Sequence, residues 1–236
     1  MSVVWLSPDS DSPFPSVENA LEDGLLAAGG DLSSLRLLNA YQHGIFPWFN
    51  KDDPILWWSP DPRMVLFTDK VKISKSLKRT CRTTPLTITF DQAFEQVITA
   101  CSLPRDEDNT EPENSTWIHP DMIQAYVSLH HQGFAHSVEC WLDDKLVGGL
   151  YGIAIGHMFF GESMFSHVRD SSKIALVKLC QQLHLWGFPL IDCQVYSSHL
   201  ESLGAEEIPR SEFINKIDIL CSCSRPITAW QMIKDV

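Results

Sequence analysis

The order of apolar and polar residues predicts mixed helix and strand structure from about residue 62 onward. Short stretches that alternate apolar and polar residues, or are rich in β-branched and aromatic residues, indicate strands. The predicted strands are Met64–Thr68, Leu86–Phe90, Ala135–Leu142, Lys145–Ile155, His157–Phe165 and Leu190–Val195. Apolar residues that recur every three or four positions indicate helices. The predicted helices are Asp91–Cys101, Asp121–Gln132 and 172–186. Gly187 and Pro189 end the last of these helices.

The region before residue 62 has a different pattern, because prolines, tryptophans and short turns dominate it. It contains one predicted helix, over residues 32–43, which Gly44 can end. The segments Ile45–Phe49 and Ile55–Pro62 combine prolines with three tryptophans. We expect these segments to form a rigid aromatic surface rather than regular secondary structure.

The order of the predicted elements also indicates a fold class. Three meandering strands, a helix and one further strand resemble the core of acyl-group N-transferases with the acetyltransferase-like fold. We therefore expect an α+β protein with a small N-terminal domain over residues 1–61. An acetyltransferase-like C-terminal domain over residues 62–236 would contain a mixed, mostly antiparallel sheet. This analogy concerns the fold and says nothing about chemistry.

The net charge of the chain restricts the kinds of partner that it can bind. The chain has 30 acidic and 18 basic residues, a formal charge of −12, so binding to nucleic acid would require a local basic patch. Six basic residues lie within thirteen positions that contain no acidic residue, which fits a phosphate site or an ordinary solvated helix face. These residues are Lys70, Lys72, Lys75, Lys78, Arg79 and Arg82.

Cysteine spacing and hydropathy indicate a metal-free cytoplasmic protein. The seven cysteines form no C-x-x-C motif and the histidines have no zinc-binding spacing, so reduced, packed thiols are expected. The first residues lack the basic region of a signal peptide. The longest uncharged run, Leu146–Gly161, is interrupted by five glycines and is shorter than the ~20 residues of a membrane helix.

Polar residues within two predicted strands suggest a site. Alternation places Asp192 and Gln194 on one face of their strand, and Phe160, Glu162 and Met164 on one face of another. Buried polar groups are costly unless they are hydrogen-bonded. Each polar residue could be a structural group whose hydrogen bonds are made within the protein. The presence of three such residues, Glu162, Asp192 and Gln194, on strands that flank one helix favours a functional site.

Two other segments argue against a serine nucleophile and against coenzyme A binding. Gly161–Phe165 only superficially resembles a nucleophile elbow, because its serine does not lie between two glycines at the required spacing. The segment Ser166–Ser172 before the predicted helix has no glycine that would let backbone amides bind a pyrophosphate. Coenzyme A is therefore not the expected acyl donor, and we expect no cofactor.

Several segments, in order along nearly the whole chain, resemble leucyl/phenylalanyl-tRNA–protein transferases. The segments are Gly24–Ser33, Leu37–Phe49, Pro54–Arg63, Gly148–Gly152, Gly161–Ser166, Leu190–Gln194 and Ser202–Ala205. The resemblance implies transfer of leucine or phenylalanine, with methionine as a further candidate, from aminoacyl-tRNA. The acceptor would be the α-amino group of proteins with N-terminal arginine or lysine, which are thereby marked for N-end-rule degradation. No DNA or membrane partner is expected.

The resemblance also implies residue roles, with the aminoacyl end of the tRNA between the two domains. The implied catalytic residues are Asp192, Gln194 and Glu162. Trp48 and Trp117 would enclose the terminal adenine, since aromatic faces stack on unpaired bases. The other implied substrate-binding residues are Tyr41, Ser166 and an apolar pocket of Leu150, Phe160 and Met164. The expected phosphate-binding residues are Lys72, Lys75, Lys78, Arg79 and Arg82.

Two features depart from the family pattern. The acidic segment 104–116, which we expect to be a solvated loop, is longer than in the family and precedes Trp117 directly. Leu150 replaces a methionine of the family, which predicts a shifted pocket preference.

As a mechanism, we expect Asp192 to orient Gln194, whose carbonyl oxygen holds the attacking amine. Glu162 would bind a cation, either the acceptor's basic side chain or the donor's ammonium. Two alternatives remain. One is an enzyme of the same fold with another substrate, such as acetyl-CoA or a cell-wall peptide. The other is a non-catalytic tRNA-binding module in which Asp192 and Gln194 are structural.

Overall fold

A computed structural model describes residues 3–8, 12–103, 117–224 and 230 of the chain. The acidic segment 104–116, predicted to be a solvated loop, lies outside the described residues. Within them, two β-sheets are packed among α-helices, as the α+β prediction requires.

The first sheet is formed by residues before position 59. Its strands are β1 (Val4–Leu6), β2 (Leu25–Gly29), β3 (Phe46–Pro47) and β4 (Leu56–Trp58). Their order is β1-β2-β4-β3, with β1 parallel to β2 and the other pairs antiparallel. One α-helix, α1 (Ser34–Gln42), begins after the side-chain oxygen of Ser33 caps the Arg36 amide at 3.2 Å.

Strands β3 and β4 show that the expected absence of regular structure in Ile45–Phe49 and Ile55–Pro62 was wrong. Pro47 is tolerated because β3 lies at the edge of its sheet. Trp57 is fully buried and its indole N–H donates to the Gly29 carbonyl at 2.9 Å. Cross-strand packing thus makes this aromatic segment regular.

The second sheet confirms the predicted mixed, mostly antiparallel arrangement. Its strands are β5 (Arg63–Phe67), β6 (Thr87–Phe90), β7 (Ala135–Leu142), β8 (Lys145–Ile155), β9 (Met158–Ser166), β10 (Leu190–Gln194) and β11 (Glu206–Ile208). They lie in the order β11-β5-β10-β9-β8-β7-β6, and among these described strands only β9 and β10 pair in parallel. A helix connects that parallel pair, which is the acetyltransferase-like order that the sequence predicts.

Helices cover both faces of this sheet. They are α2 (Lys75–Thr83), α3 (Phe94–Cys101), α4 (Pro120–His131), α5 (Ser171–Leu185), α6 (Ser198–Ser202) and α7 (Arg210–Ser222). One core cluster includes apolar residues of α1, α3, α4, α7 and the first sheet, and the other includes those of α5 and α2. The first cluster joins residues before and after position 61, so the domain boundary at 61/62 stays a prediction.

A buried ion pair lies where the two parts of the molecule meet. Arg63 on β5 donates from Nε and Nη2 to both carboxylate oxygens of Asp192 on β10, at 2.8 and 2.7 Å. Its Nη1 donates to the carbonyl of Gly44 after α1, at 2.9 Å. The guanidinium also lies against the rings of Phe46 and Phe213, 4.8 and 4.6 Å from their centroids. Four segments therefore meet at Arg63.

Asp192→Ala should cost about 3–5 kcal/mol of unfolding free energy, because it leaves a buried guanidinium without its carboxylate. A matched control is Glu206→Ala, which removes the exposed Lys70–Glu206 pair of the same sheet and should cost less than about 1 kcal/mol. Urea unfolding of both variants measures the difference. Equal losses would contradict the role assigned to the Arg63–Asp192 pair.

Candidate active site

A cavity of about 910 Å³ lies between the first sheet and the splayed strands of the second. Residues Phe46, Pro47 and Trp48 contribute one wall. Most of the other lining residues come from β8, β9, β10, α5 and α6, with Ala100, Leu103 and Trp117 in addition. The predicted site residues that line it are Trp48, Trp117, Leu150, Glu162, Met164, Ser166, Asp192 and Gln194. The fold thus brings together residues that are far apart in the sequence.

The cavity exists because β9 and β10 separate after a short parallel pairing. Their register runs from Leu190 opposite Met158 to Asp192 opposite Phe160, and then ends. Both strands are also irregular there. One bulge places Glu162 opposite the Tyr151–Gly152 step of β8, and a second lies between Asp192 and Gln194. Bulges commonly redirect side chains beside active sites.

The bulge at Glu162 makes one sequence prediction wrong. Phe160 and Met164 do not share a face, because the extra residue reverses the alternation between them. Phe160 is buried against Tyr41, with ring centroids 5.2 Å apart, and is not among the residues that line the cavity. Phe159 lines the cavity in its place.

The apolar end of the cavity combines aliphatic and aromatic side chains. Its residues are Leu150, Phe159, Met164, Leu176, Leu179 and Ile191. The sequence did not single out Leu176 and Leu179 of α5 or Ile191 of β10 as site residues. The periodicity of apolar residues in a helix or a strand indicates only that such residues belong to the core. Their location in a cavity depends on strand separation, which periodicity does not report.

The polar centre is built around Glu162, which is partly buried and lines the cavity. Its Oε1 lies 2.7 Å from the Tyr41 hydroxyl and accepts from the Gln194 side-chain amide at 2.8 Å. Its Oε2 lies 2.8 Å from the Tyr126 hydroxyl. Burial raises the pKa of Glu162 to about 7, although the hydrogen bonds from the tyrosines and the amide oppose that rise. Tyr126 was not predicted from the sequence.

Tyr41 is fully buried and contacts Glu162, not open space in the cavity. Its predicted contact with substrate is untested, but its place in the fold makes it a support for the carboxyl group. The side-chain hydroxyl of Ser166 is also engaged. It donates to the carbonyl of Val168 at 2.9 Å and lies 2.9 Å from the hydroxyl of Ser171.

Asp192 and Gln194 contact one another through the backbone. The Gln194 N–H donates to Asp192 Oδ1 at 2.9 Å, and Gln194 has a left-handed φ of 64°. Because the side-chain NH₂ group of Gln194 points to Glu162, its carbonyl oxygen is left to accept a hydrogen bond from a bound amine. The sequence did not reveal Arg63, the ion-pair partner of Asp192.

The carboxylates that line the cavity differ in whether a cationic side chain is paired with them. Asp192 is paired with Arg63, and Asp170 lies 3.3 Å from Lys173. Glu162 instead has phenol and amide partners, and no ion pair joins it to a cation within the described part of the chain. The site can therefore stabilise an incoming positive charge at Glu162.

Trp48 and Trp117 lie on the rim of the cavity. Trp48 is 45% exposed, while Trp117 is half-buried. The ring of Trp48 packs against Trp58 with centroids 5.9 Å apart, and the indole N–H of Trp58 donates to the Trp48 carbonyl. This arrangement leaves an aromatic surface accessible beside the apolar pocket.

The predicted phosphate-binding residues lie outside the cavity but close to its edge. Lys75, Lys78, Arg79 and Arg82 are exposed on α2, and Lys72 is exposed just before it. The Lys72 amide donates to the carbonyl of Leu203 at 2.8 Å, immediately after α6. Helix α6 supplies His199 and Leu200 to the cavity wall, so basic surface and cavity adjoin the same helix.

Two kinds of feature are absent from the described residues. These residues contain no group of three or more histidine, cysteine, aspartate or glutamate residues arranged to hold a metal ion. They also contain no helix that is both long enough and apolar enough to span a membrane.

Solved structures and curated sequences give different levels of similarity. A GCN5-related N-acetyltransferase from Kribbella flavida is 13% identical with a TM-score of 0.35, covering 73% of this chain and 59% of its own. The family model for leucyl/phenylalanyl-tRNA protein transferase matches residues 65–218, and the model for its N-terminal domain matches residues 30–61.

Curated relatives with the name leucyl/phenylalanyl-tRNA–protein transferase match most of the chain. The protein from Nitrosomonas eutropha is 59% identical over 206 residues, which cover 86% of both chains. The protein from Xanthomonas euvesicatoria is 52% identical over 228 residues, which cover 95% of this chain and 89% of its own. Together with the cavity geometry, these matches show that the chain belongs to the leucyl/phenylalanyl-tRNA–protein transferase family.

Proposed function

We propose that this protein transfers leucine or phenylalanine from aminoacyl-tRNA to the α-amino group of proteins with an N-terminal arginine or lysine. The observation that carries the proposal is the composition of one cavity. It joins an apolar pocket, an aromatic rim and a buried carboxyl group that has no cationic partner in the described chain. These features match the donor side chain, the tRNA end and a basic acceptor, respectively.

The donor would enter with its amino-acid side chain in the apolar pocket. Leu150, Phe159 and Met164 offer flexible and aromatic surface of the kind that fits leucine, phenylalanine or methionine. A charged donor side chain would lose its hydration there without gaining a partner. We assign the terminal adenine of the tRNA to Trp48 and Trp117, because unpaired bases stack on aromatic faces.

The acceptor would enter from the polar side of the cavity. The side-chain oxygen of Gln194 accepts a hydrogen bond from the α-amine. This hydrogen bond orients the amine so that the lone pair of its nitrogen faces the donor ester. Asp192 holds the Gln194 backbone in place. Glu162 binds the basic side chain of the acceptor, which separates arginine and lysine from uncharged N-termini.

The reaction itself needs positioning more than a strong base. The donor is an activated ester, and an α-amine with a pKa of about 8 is partly neutral near pH 7. The amine nitrogen attacks the ester carbonyl carbon, and the bond from that carbon to the ribose oxygen breaks. The nitrogen loses one proton as the amide forms, and the ribose oxygen takes up one proton. Holding the two reactants in contact supplies much of the acceleration. No covalent enzyme intermediate is required.

The first test uses labelled Phe-tRNA and two otherwise identical proteins, one with N-terminal arginine and one with N-terminal glycine. Label should appear on the arginine protein and be at least tenfold lower on the glycine protein. Labelled Asp-tRNA serves as the donor control and should give no product. Absence of label on the arginine protein, with intact Phe-tRNA recovered, would refute the proposed activity.

The second test concerns the apolar pocket. Met164→Ala should lower kcat/KM for the leucyl donor by at least tenfold, since lost apolar contact is worth about 1–3 kcal/mol per methylene. The matched control is Met158→Ala on the same strand, because Met158 is buried in the core and is absent from the cavity lining. The control should lower stability without changing the ratio of leucine to phenylalanine transfer. Altered acceptor choice in Met164→Ala would show that this surface binds the other substrate.

The third test concerns the basic surface of α2. Replacing Lys75, Lys78 and Arg79 together with alanine should weaken tRNA binding and reduce the log–log salt slope by about one unit per lost phosphate contact. Lys145→Ala is the control, because Lys145 is exposed at the start of β8 and away from this cluster. Filter binding across a salt series measures both slopes. An unchanged slope in the triple variant would leave α2 as an ordinary solvated helix.

A further inference from the structure

Four oxygen atoms at the polar centre form a closed ring of short contacts. Glu162 Oε1 lies 2.7 Å from the Tyr41 hydroxyl oxygen. That oxygen lies 2.5 Å from the hydroxyl of Tyr126, which in turn lies 2.8 Å from Glu162 Oε2. All three contacts between residues are within the range of O–H···O hydrogen bonds. The ring joins α1, α4 and β9.

Counting protons shows which state of Glu162 fits this ring. Each tyrosine brings one hydroxyl proton, so an ionised Glu162 leaves two protons for three contacts. One pair of oxygens would then lie at contact distance with no proton between them. A protonated Glu162 supplies the third proton, and Glu162 can donate to Tyr126, Tyr126 to Tyr41, and Tyr41 back to Glu162. The Gln194 amide donates to Glu162 from outside the ring.

The surroundings agree with a neutral carboxyl group. Burial raises the pKa of both tyrosines well above 10, so neither hydroxyl is the group that ionises near neutrality. Burial likewise raises the pKa of Glu162 to about 7. The titratable and charged groups that face Glu162 are Tyr41 on α1, Tyr126 on α4, Tyr151 on β8, and Asp192 on β10, which Arg63 on β5 neutralises.

We propose that, below neutral pH, Glu162 is protonated in the empty site and releases that proton to solvent when the cationic side chain of the acceptor's N-terminal residue binds. This inference rests on the proposed function, because it requires a basic acceptor. In the step, the O–H bond of the carboxyl group breaks, the proton passes to water or buffer, and the carboxylate pairs with the cation. The negative charge that selects the acceptor is therefore created by the acceptor itself.

Calorimetry on the full-length protein tests this proton release. Two peptides are compared, one with N-terminal arginine and one with N-terminal citrulline, which has nearly the same shape but no charge. Both carry the same α-amine, so the difference between them isolates Glu162. Titrations at pH 6 in buffers of different ionisation enthalpy should show close to one extra proton released with the arginine peptide. The difference should approach zero at pH 8.5.

Glu162→Gln is the matched variant, because an amide reproduces the protonated ring. Its NH₂ group can donate to Tyr126 while its oxygen accepts from Tyr41 and Gln194. The variant should keep a melting temperature within a few degrees of the wild type, show no extra proton release and lose its preference for arginine over citrulline. An infrared difference spectrum of the free wild type between pH 6 and pH 8.5 should show loss of a protonated-carboxyl band that Glu162→Gln lacks.

The outcomes separate this inference from the proposed function. Arginine preference without extra proton release would mean that Glu162 is already ionised, which overturns the inference and leaves the transfer activity standing. Equal binding of the two peptides would show that Glu162 does not receive the acceptor's charge, and would overturn the inference even if label transfer succeeds. Absence of label transfer from Phe-tRNA would refute the proposed function itself.

Discussion

The contact on which the site depends most is the bidentate pair between Arg63 and Asp192. A buried ion pair of this kind repays its desolvation only when its remaining hydrogen-bonding groups are satisfied. Here Arg63 uses its third donor on the Gly44 carbonyl, and Asp192 accepts the backbone amide of Gln194. Arg63 therefore ties β5 and β10 of the second sheet to the end of α1, and Asp192 fixes the irregular end of β10.

That irregular end determines where the chemistry can occur. Gln194 has a φ of 64°, a conformation that costs a non-glycine residue roughly 1–3 kcal/mol. The amide bond to Asp192 and the side-chain bond to Glu162 hold it there. Because β10 then leaves β9, the sheet opens into a cavity instead of continuing. Two local irregularities, at Glu162 and Gln194, thus turn a structural sheet into a candidate active site.

Much of this arrangement could be predicted from the sequence, and the failures have identifiable physical causes. Alternation located the strands and identified Glu162 and Asp192 as polar residues in apolar surroundings. It failed across Glu162, because one bulged residue breaks the alternation when it is counted back from Met164. Phe159 and not Phe160 therefore lines the cavity together with Met164. The signal for α7 was present in the spacing of Phe213 and Ile217, both of which are buried.

Partners that are distant in the sequence were beyond the reach of periodicity. Arg63 and Asp192 are 129 positions apart, and Tyr126 and Glu162 are 36 positions apart on different elements. A polar residue in a strand signals that a partner must exist, but it does not name the partner. The resemblance to a family identified the residues of the polar centre. The structure identifies their partners, Arg63 for Asp192 and Tyr126 for Glu162.

The acidity of the chain is compatible with an RNA substrate because electrostatic interactions between exposed charges act locally. At physiological ionic strength, such charges are screened beyond about 8 Å, so the formal charge of −12 does not act as one field on a bound phosphate. Near the cavity, Asp170 and Asp192 are each paired with a cation, while the basic residues of α2 are exposed. A neutral Glu162 would remove the remaining buried negative charge from the path of the donor. The local balance of charge, not the total, is therefore what a tRNA end would meet.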